Sequence, residues 1–286
     1  MKPSLNRSLA PLLGSIALML PGSLFGDSIK AANTTALNLV GSWLSGGIPT
    51  ASSLAIWDST ITAANNSALG GDSSWLGICV GNVGGTVNST VLMTISNASS
   101  ANTLTLGSGG IDMSAATQAL AIQSKILLAA SQTWNIANAN TGTNPAGLSV
   151  SEDLTFAAQV ASAAFNLGGF TVNKTGVGTV ALSSGYTLAN GTVNVNAGTF
   201  HFQSGGSRIA TINPDVNLIG NSGGTISLAV QSAALNVNSP ITLNAGSTLA
   251  FIPAQANAMT LGATATINVA GNAAINVTPQ YAGAGN

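Results

Sequence analysis

Few side chains in this chain of 286 residues could perform acid–base chemistry, because it contains six Lys and Arg, seven Asp and Glu and one His. Arg208, Lys174 and Asp215 are the candidates for an enzyme that cleaves polysaccharides, in which a basic residue removes a proton beside acidic groups. If the chain coils, these three residues lie in neighbouring coils and could share one groove. The alternative is three separate, solvated charges on a polar surface. The adjacent carboxylates of Glu152 and Asp153 would point to opposite faces of a strand and could not act on one substrate.

The single His and the single Cys do not indicate a catalytic centre. His201 lies between Phe200 and Phe202, so on a strand it faces away from both rings, which predicts an outward and unreactive side chain. Cys79 is interpreted as a small buried apolar residue, with an exposed reactive thiol as the alternative. One His and one Cys are also too few for a Cys/His zinc site. We therefore predict no enzymatic activity, no catalytic, cofactor-binding or metal-binding residues, and no cofactor.

A glycine-rich stretch resembles a nucleotide-binding motif only superficially. Residues 176–181 match a loose Gly-x-Gly-x-x-Ala pattern, but a dinucleotide-binding loop must lead into a helix. Thr179 and Val180 are β-branched and begin another strand instead. We therefore reject a dinucleotide site here.

The composition excludes several classes of protein. Charged residues make up 5% of the chain, against about 25% in an ordinary soluble domain. The net charge of −1 leaves no basic surface for nucleic acid, and one Cys cannot form an internal disulfide. A hydrophobic fraction of 45% argues against disorder, which combines low hydrophobicity with high charge.

Residues 1–26 are typical of a secretory signal peptide. Lys2 and Arg7 precede an apolar stretch at residues 9–20, and a Pro-Gly pair then breaks the helix. The stretch is too short to span a bilayer, which needs about 20 residues. A buried N-terminal helix is the alternative. No later stretch reaches about 18 apolar residues, so we predict no transmembrane helix in the mature chain.

The rest of the chain consists of short runs in which apolar and polar residues alternate, separated by Gly, Asn and Ser. Alternation with a period of two predicts strands, and Gly and Asn suit sharp corners. From Val180 onward the predicted strands start near residues 180, 186, 193, 200, 209, 216, 226, 235, 241, 249, 259, 267 and 275. The mean step of about eight residues leaves no room for crossover helices.

Two architectures fit this spacing: an antiparallel β-sandwich or barrel, and a parallel β-solenoid with about three strands per coil of 20–25 residues. Similar short strands favour the solenoid, as does the use of uncharged Thr, Ser and Asn, which can stack in ladders without repulsion. Hairpin signatures of the Asn-Gly type are also missing, apart from residues 190–191. We therefore predict an all-β parallel solenoid, with the antiparallel sandwich as the alternative.

The N-terminal third is less regular and contains most of the tryptophans. Residues 34–90 are interpreted as a region that closes the first coil with bulky aromatic side chains. This gives a predicted cap and first coils at 27–100, and a β-helix at 101–286. Residues 115–130 could form a helix, but the alternation of Leu120 and Ile122 favours strands.

Residues 172–202 carry a longer pattern that starts Lys-Thr-Gly-x-Gly-Thr and ends Val-Asn-x-Gly-Thr. It strongly resembles the autotransporter-associated β-strand repeat of secreted bacterial proteins. The residues that carry the resemblance are Lys174, Thr175, Gly176, Gly178, Thr179, Leu182, Tyr186, Gly191, Thr192, Val195, Gly198 and Thr199. Val180 and Phe200 replace leucines of the family pattern. Upstream, the stretches 41–58 and 131–136 are similar to what precedes such repeats.

The resemblance implies an exported passenger with a right-handed parallel β-helix, secreted or held at the cell surface of a bacterium and associated with the outer membrane. It transfers no catalytic residue. No C-terminal translocating barrel is recognised, so a truncated passenger, a passenger-like protein exported alone and a fragment all stay open.

We therefore expect a non-enzymatic surface protein with a structural role in adhesion or self-association. The expected partners are a second copy, associated laterally or end to end, a surface polysaccharide, or the surface of a host or neighbouring cell. The alternatives are a β-helix carbohydrate-active enzyme and a carbohydrate-binding module that uses exposed Trp side chains.

Overall fold

The computed structural model describes residues 26–45, 47–83, 93–97, 101–137, 153–161, 163–183, 185–205, 207–253 and 257–278. The predicted signal peptide therefore lies almost entirely outside the described residues, and so does Glu152.

The described chain is built from short strands and one 3-10 turn at Val40–Ser42. The first strands are β1 Ser28–Lys30, β2 Trp43–Ser45, β3 Leu54–Trp57, β4 Asn65–Ala68, β5 Ser73–Val80, β6 Met93–Ser96, β7 Thr103–Met113, β8 Leu120–Ile122 and β9 Lys125–Leu128. The next are β10 Gln132–Ile136, β11 Leu154–Ala157, β12 Ala163–Asn166, β13 Thr171–Thr175, β14 Thr179–Ser183, β15 Tyr186–Ala189, β16 Gly191–Val195, β17 Gly198–Gln203 and β18 Ala210–Ile212. The last are β19 Val216–Gly220, β20 Gly224–Ala229, β21 Leu235–Val237, β22 Ile241–Leu243, β23 Thr248–Ile252, β24 Met259–Leu261, β25 Ile267–Val269 and β26 Ala274–Val277.

These strands wind into a solenoid with three parallel ladders, which we call A, B and C in the order in which the chain visits them. Ladder A runs through the first halves of β5 and β7 and then β9, β12, β15, β18, β21 and β24. Ladder B runs through β1, β3, the second halves of β5 and β7, and then β10, β13, β16, β19, β22 and β25. Ladder C runs through β4, β6, β8, β11, β14, β17, β20, β23 and β26, one for each of about nine turns.

The predicted parallel solenoid is confirmed and the antiparallel sandwich is wrong, because each ladder pairs a strand with its equivalent one coil later. Among the described strands, one pair is antiparallel, β1 with β2. From β14 onward every strand begins within two residues of its predicted start. The right-handed sense and the division at residue 100 stay predictions.

Alternation along each strand separates a dry interior from an outer face. In β16, Val193 and Val195 are buried while Asn194 between them is partly exposed, and the other ladders repeat this arrangement. The middle coils enclose an aromatic cluster around Trp134, whose ring centroid lies 5.2 Å from that of Phe156 and 6.1 Å from that of Phe200. Stacking the coils therefore seals one continuous apolar core, which no single coil could form alone.

Asparagines stack at the corner between ladders B and C. The Asn221 side-chain amide donates to Asn196 Oδ1, and the Asn244 amide donates to Asn221 Oδ1, each over 2.7 Å. Register-matched polar side chains thus bond from coil to coil without bringing like charges together.

The two ends of the solenoid differ. At the N-terminal end β2 lies antiparallel beside β1, and Trp43, Trp57 and Trp75 form a cluster with centroids 5.9–6.3 Å apart. At the C-terminal end no described strand covers β24, β25 and β26, and β26 is exposed throughout. These three tryptophans lie in the region predicted to close the first coil, and Trp134 belongs to the middle core. The cap itself stays a prediction.

Candidate functional site

The three charges proposed for an enzymatic groove lie at three different corners of the coil. Lys174 lies near the end of β13 in ladder B, and Arg208 lies between ladders C and A. Asp215 lies on the corner between ladders A and B. A coil of three strands holds these corners on different sides, so the structure does not bring the three residues together. The grouping of Arg208, Lys174 and Asp215 that a polysaccharide-cleaving site would need is therefore not formed.

Lys174 points into the solenoid and not into solvent. It shares the inward side of β13 with Val172, and its side chain is fully buried. The ammonium donates to the carbonyl oxygens of Thr175 at 3.1 Å, Gly176 at 2.6 Å and Ala197 at 2.8 Å. These three acceptors belong to the corners of two successive coils, so the lysine joins one coil to the next.

Burial lowers the pKa of Lys174 to about 8, and the nearby carboxylate of Asp153 opposes this shift. Asp153 is itself buried, and its Oδ2 accepts the backbone N–H of Thr179 at 2.7 Å. Glu152 lies outside the described residues, so the prediction that these two carboxylates point to opposite faces stays a prediction. Asp153 contributes to the corner that follows Lys174.

The glycines of the repeat pattern are required by close approaches at this same corner. Gly198 has φ of +63°, and a Cβ there would lie 2.4 Å from the Gly178 oxygen and 2.7 Å from Lys174 Nζ. Gly176 also has positive φ, and a Cβ there would lie 2.2 Å from the Ile136 oxygen. Only glycine fits at these two positions, because a Cβ would collide with the neighbouring backbone and, at Gly198, with the Lys174 ammonium.

The remaining pattern residues supply one coil with its core and its outer rows. Leu182 and Val195 are buried, and the buried hydroxyl of Tyr186 donates to the Ser124 oxygen at 2.7 Å. Register partners on the outer side of ladder C are all threonines in four successive coils, namely Thr179, Thr199, Thr225 and Thr248. The pattern therefore encodes a coil and the stacking surface for the next coil.

His201 faces away from Phe200 and Phe202 as predicted, but it is fully buried. Its Nδ1 lies 2.9 Å from Ser227 Oγ, while Nε2 has no hydrogen-bond partner. Burial lowers the pKa of His201 to about 4. The polar side chain of Gln203 raises this pKa by a smaller amount. The outer side of ladder C is therefore covered here, which the alternation of one strand cannot indicate.

Cys79 is half-buried and lies between the inward residues Ile78 and Val80. The prediction of a small buried apolar residue is therefore only partly met, because the side chain is half-buried. Burial raises the pKa of the thiol, and the carboxylates of Asp112, Asp27 and Asp58 raise it further. A high pKa leaves little thiolate, so this position is a poor nucleophile.

The carbohydrate-binding hypothesis required exposed tryptophans. The exposed fractions of Trp43, Trp57, Trp75 and Trp134 are 6%, 1%, 0% and 0%. A shallow depression of about 390 Å³ beside Asp72 and Thr103 is lined by hydroxyl groups and Leu127, without an aromatic ring. The proposed stacking platform is therefore absent from the described surface.

Sequence reasoning missed a second buried lysine at the N-terminal end. Lys30 Nζ donates to the oxygens of Ala31 at 2.9 Å and Asn33 at 2.7 Å, and burial lowers its pKa to about 8. The sequence held no signal for it, because alternation would turn the apolar Ile29 inward, whereas the structure buries the polar Ser28 and Lys30 on either side of it.

Within the described ranges, no group of three or more His, Cys, Asp or Glu side chains could hold a metal ion. No helix among these residues is long and apolar enough to cross a bilayer.

Comparison with models of protein families, with curated proteins and with solved structures finds no match to this chain.

Proposed function

We propose that the protein is a non-enzymatic, exported solenoid of the passenger type that acts at the cell surface as a structural element in adhesion or self-association. Its resemblance at residues 172–202 to the autotransporter-associated repeat motivates the proposal, together with the secretory pattern of residues 1–26.

The observation that carries the proposal is the use of the charged side chains. Lys30 and Lys174 donate to backbone carbonyls inside the solenoid, and Arg208 donates to the Ala158 oxygen. Asp153 accepts a backbone N–H. Charges engaged in holding corners together are unavailable for proton transfer, whereas the outer rows of Thr and Asn offer uncharged hydrogen-bonding surfaces.

The proposal is tested by expressing the full chain in a Gram-negative host, and measuring its accessibility to external protease together with the settling of the cells. We expect protein outside the inner membrane and faster settling of the expressing cells. Ile16→Arg, which interrupts the apolar stretch of the predicted signal, is the control and should abolish both effects. Protein that stays in the cytoplasm of the unsubstituted strain would contradict the proposal.

The enzyme hypothesis has a separate test. Purified protein is incubated with a panel of polysaccharides, and Arg208→Ala serves as the comparison. We expect no cleavage by either protein. Cleavage that disappears in Arg208→Ala would show enzymatic activity and contradict the proposal of a non-enzymatic protein.

A further inference from the structure

The outer side of ladder B presents a row of uncharged side chains. The row has one member in each of β10, β13, β16, β19, β22 and β25, and each member is the register partner of the next. These side chains are all partly or fully exposed. All but one are Thr or Asn, and the members are Thr133, Asn173, Asn194, Ile219, Thr242 and Asn268. We call these residues the middle row.

A second row lies beside the middle row, two residues further along the chain in each coil, and therefore faces the same way. Asn135 and Thr175 are register partners in this second row. Asn196, Asn221 and Asn244 continue it as the hydrogen-bonded ladder at the corner between ladders B and C. We call the two rows together the open face.

Neither row contains an ionisable side chain. The charged residue of β13, Lys174, points inward, and Asp112 borders the second row as the register partner of Asn135. Charged residues usually make up about a quarter or more of a protein surface, so a charge-free face of this length is unusual. Such a face cannot compensate an ionic ligand for the water that it loses on binding, whereas it can exchange hydrogen bonds with a neutral ligand. The charge of the open face therefore favours an uncharged partner.

The amides of the open face are held in place before any ligand binds. The Asn194 amide donates to Asn173 Oδ1 at 3.0 Å, and the corner asparagines are joined in the same way over 2.7 Å. A side-chain amide has two N–H donors and a carbonyl with two lone pairs, so one such bond uses only part of its capacity. A donor beside an acceptor matches neighbouring sugar hydroxyls, which both donate and accept. Because the ladder already fixes these side chains, they lose little conformational entropy on binding.

The members of a row repeat along the solenoid axis at the spacing of neighbouring strands, about 4.8 Å. An extended polysaccharide such as cellulose advances by a similar distance with each sugar ring. A glycan chain laid along the axis would therefore meet an equivalent side chain at each ring. Contacts that are weak singly add up along one chain, because after the first contact the others form within the same complex.

We propose that the open face binds an uncharged, extended polysaccharide whose chain runs along the solenoid axis. Recognition depends here on hydrogen bonds to hydroxyl groups and not on aromatic stacking, since all four tryptophans are buried. A charged glycan and the same face of a second copy are the competing occupants, and they are distinguished by their response to charge and by sedimentation. The inference names a partner for the adhesion role and rests on the proposed function.

The test measures binding of the purified full chain to insoluble polysaccharide particles, from the protein left in solution after centrifugation. Mannan particles and alginate beads are the matched pair, because alginate contains mannose-type rings that each carry a carboxylate. Cellulose and chitin extend the neutral set. We expect saturable binding to at least one neutral polysaccharide, about tenfold weaker binding to alginate, and no loss of neutral binding in high salt, which screens charges.

Thr242→Glu places a carboxylate within the middle row, and Thr133→Glu does so at a fully exposed position of the same row. Both should weaken binding to the neutral polysaccharide about tenfold, because the carboxylate must lose water beneath the glycan. Thr211→Glu is the matched control, since Thr211 has the same partial exposure on the outer side of ladder A. It should bind like the unsubstituted protein. Circular dichroism verifies that all three variants keep the solenoid.

Four results would overturn the proposal: no binding to any neutral polysaccharide, equal binding to mannan and alginate, equal effects of Thr242→Glu and Thr211→Glu, or an oligomer that sedimentation detects without polysaccharide and that Thr242→Glu dissociates. These results are distinguishable from failure of the proposed function. Settling of the exporting cells without polysaccharide binding would retain the adhesion role, whereas binding by a protein that is not exported would retain the open face.

Discussion

Lys174 shows how one residue can hold two coils of a solenoid together. An ammonium in an apolar interior is unfavourable unless hydrogen bonds replace its water. Here three backbone carbonyls at the corners of two coils do so. The ammonium and the corner carbonyls therefore satisfy each other's hydrogen-bonding capacity.

Lys174→Met should lower the free energy of unfolding by about 3 kcal/mol, because it keeps the length of the side chain but leaves buried carbonyls without a donor. Urea unfolding followed by circular dichroism measures the change. Lys125→Met is the control. Lys125 makes an exposed 3.2 Å bond to the Ala101 oxygen, so its loss should change stability by about 0.5 kcal/mol or less. Equal effects of the two substitutions would contradict the role of Lys174.

The burial of His201 predicts a loss of stability in mild acid. Its pKa is lowered from 6.5 to about 4 in the folded protein. Above pH 6.5 the imidazole is neutral in both states, so the full stability is present. As the pH falls from 6.5 towards 4 the unfolded chain binds a proton and the folded chain does not, which removes about 3 kcal/mol across the interval.

The measurement is the unfolding free energy between pH 7 and pH 5, where most carboxylates are still ionised. His201→Gln can retain a bond to Ser227 but does not titrate, so its stability should change less with pH than that of the unsubstituted protein. The chain contains one His, and the difference between the two slopes therefore reports on this residue. Parallel slopes would show that His201 is solvated in solution.

At the scale of the elements, the asparagine ladder predicts that replacing an asparagine within the ladder lowers stability more than replacing one outside it. Asn221→Ala removes two bonds of 2.7 Å and leaves Asn196 Oδ1 and the Asn244 amide unpaired. The expected loss is about 1–2 kcal/mol. Asn217→Ala, on the exposed side of the preceding strand β19, should cost about 0.5 kcal/mol or less. Thermal unfolding of both variants measures the difference, and an equal loss would exclude a stabilising ladder.

The strands themselves were predictable because alternation and corner residues are local properties. Ile241–Leu243 is one example, in which two buried residues flank a partly exposed threonine. Residues 115–130 are a harder example, since their apolar content suits a helix as well. The structure forms β8 and β9 there, so the alternation of Leu120 and Ile122 was the better indicator.

The roles of single residues depended on contacts between coils and were less predictable. The period that places Val172 inward also places Lys174 inward, but charge argued for the surface. Asp153 acts on Thr179, which lies 26 residues later and one coil away. His201 likewise contacts Ser227, its register partner's side chain in the next coil. The residue pattern within a single strand cannot indicate such contacts, because they join residues of different coils.

At the scale of the whole molecule, the fold predicts resistance to a protease with many potential cleavage sites. The described chain has Lys or Arg at positions 30, 125, 174 and 208, and two of these are fully buried. Trypsin is therefore an uninformative probe. Thermolysin cleaves at the abundant apolar residues, which lie inside the coils, so the solenoid should survive its digestion.

Trp134→Ala provides the matched comparison, because it opens a cavity in the aromatic core and should reduce stability by about 3–5 kcal/mol. Mass spectrometry of timed thermolysin digests should show slow cleavage of the original protein within residues 153–278 and faster cleavage in the variant. Rapid cleavage of both proteins would argue against a packed solenoid.

The succession of ladders also determines how the molecule would respond to mechanical tension. Backbone hydrogen bonds join each coil to its neighbours along the axis. Tension on one end of the chain therefore breaks the bonds of the outermost coil before those of the next. From β20 onward a coil spans 24–26 residues, and its release would lengthen the chain by about 80 Å. A solenoid under tension should therefore unfold one coil at a time, and the coils around the aromatic cluster of Trp134 should require the highest force.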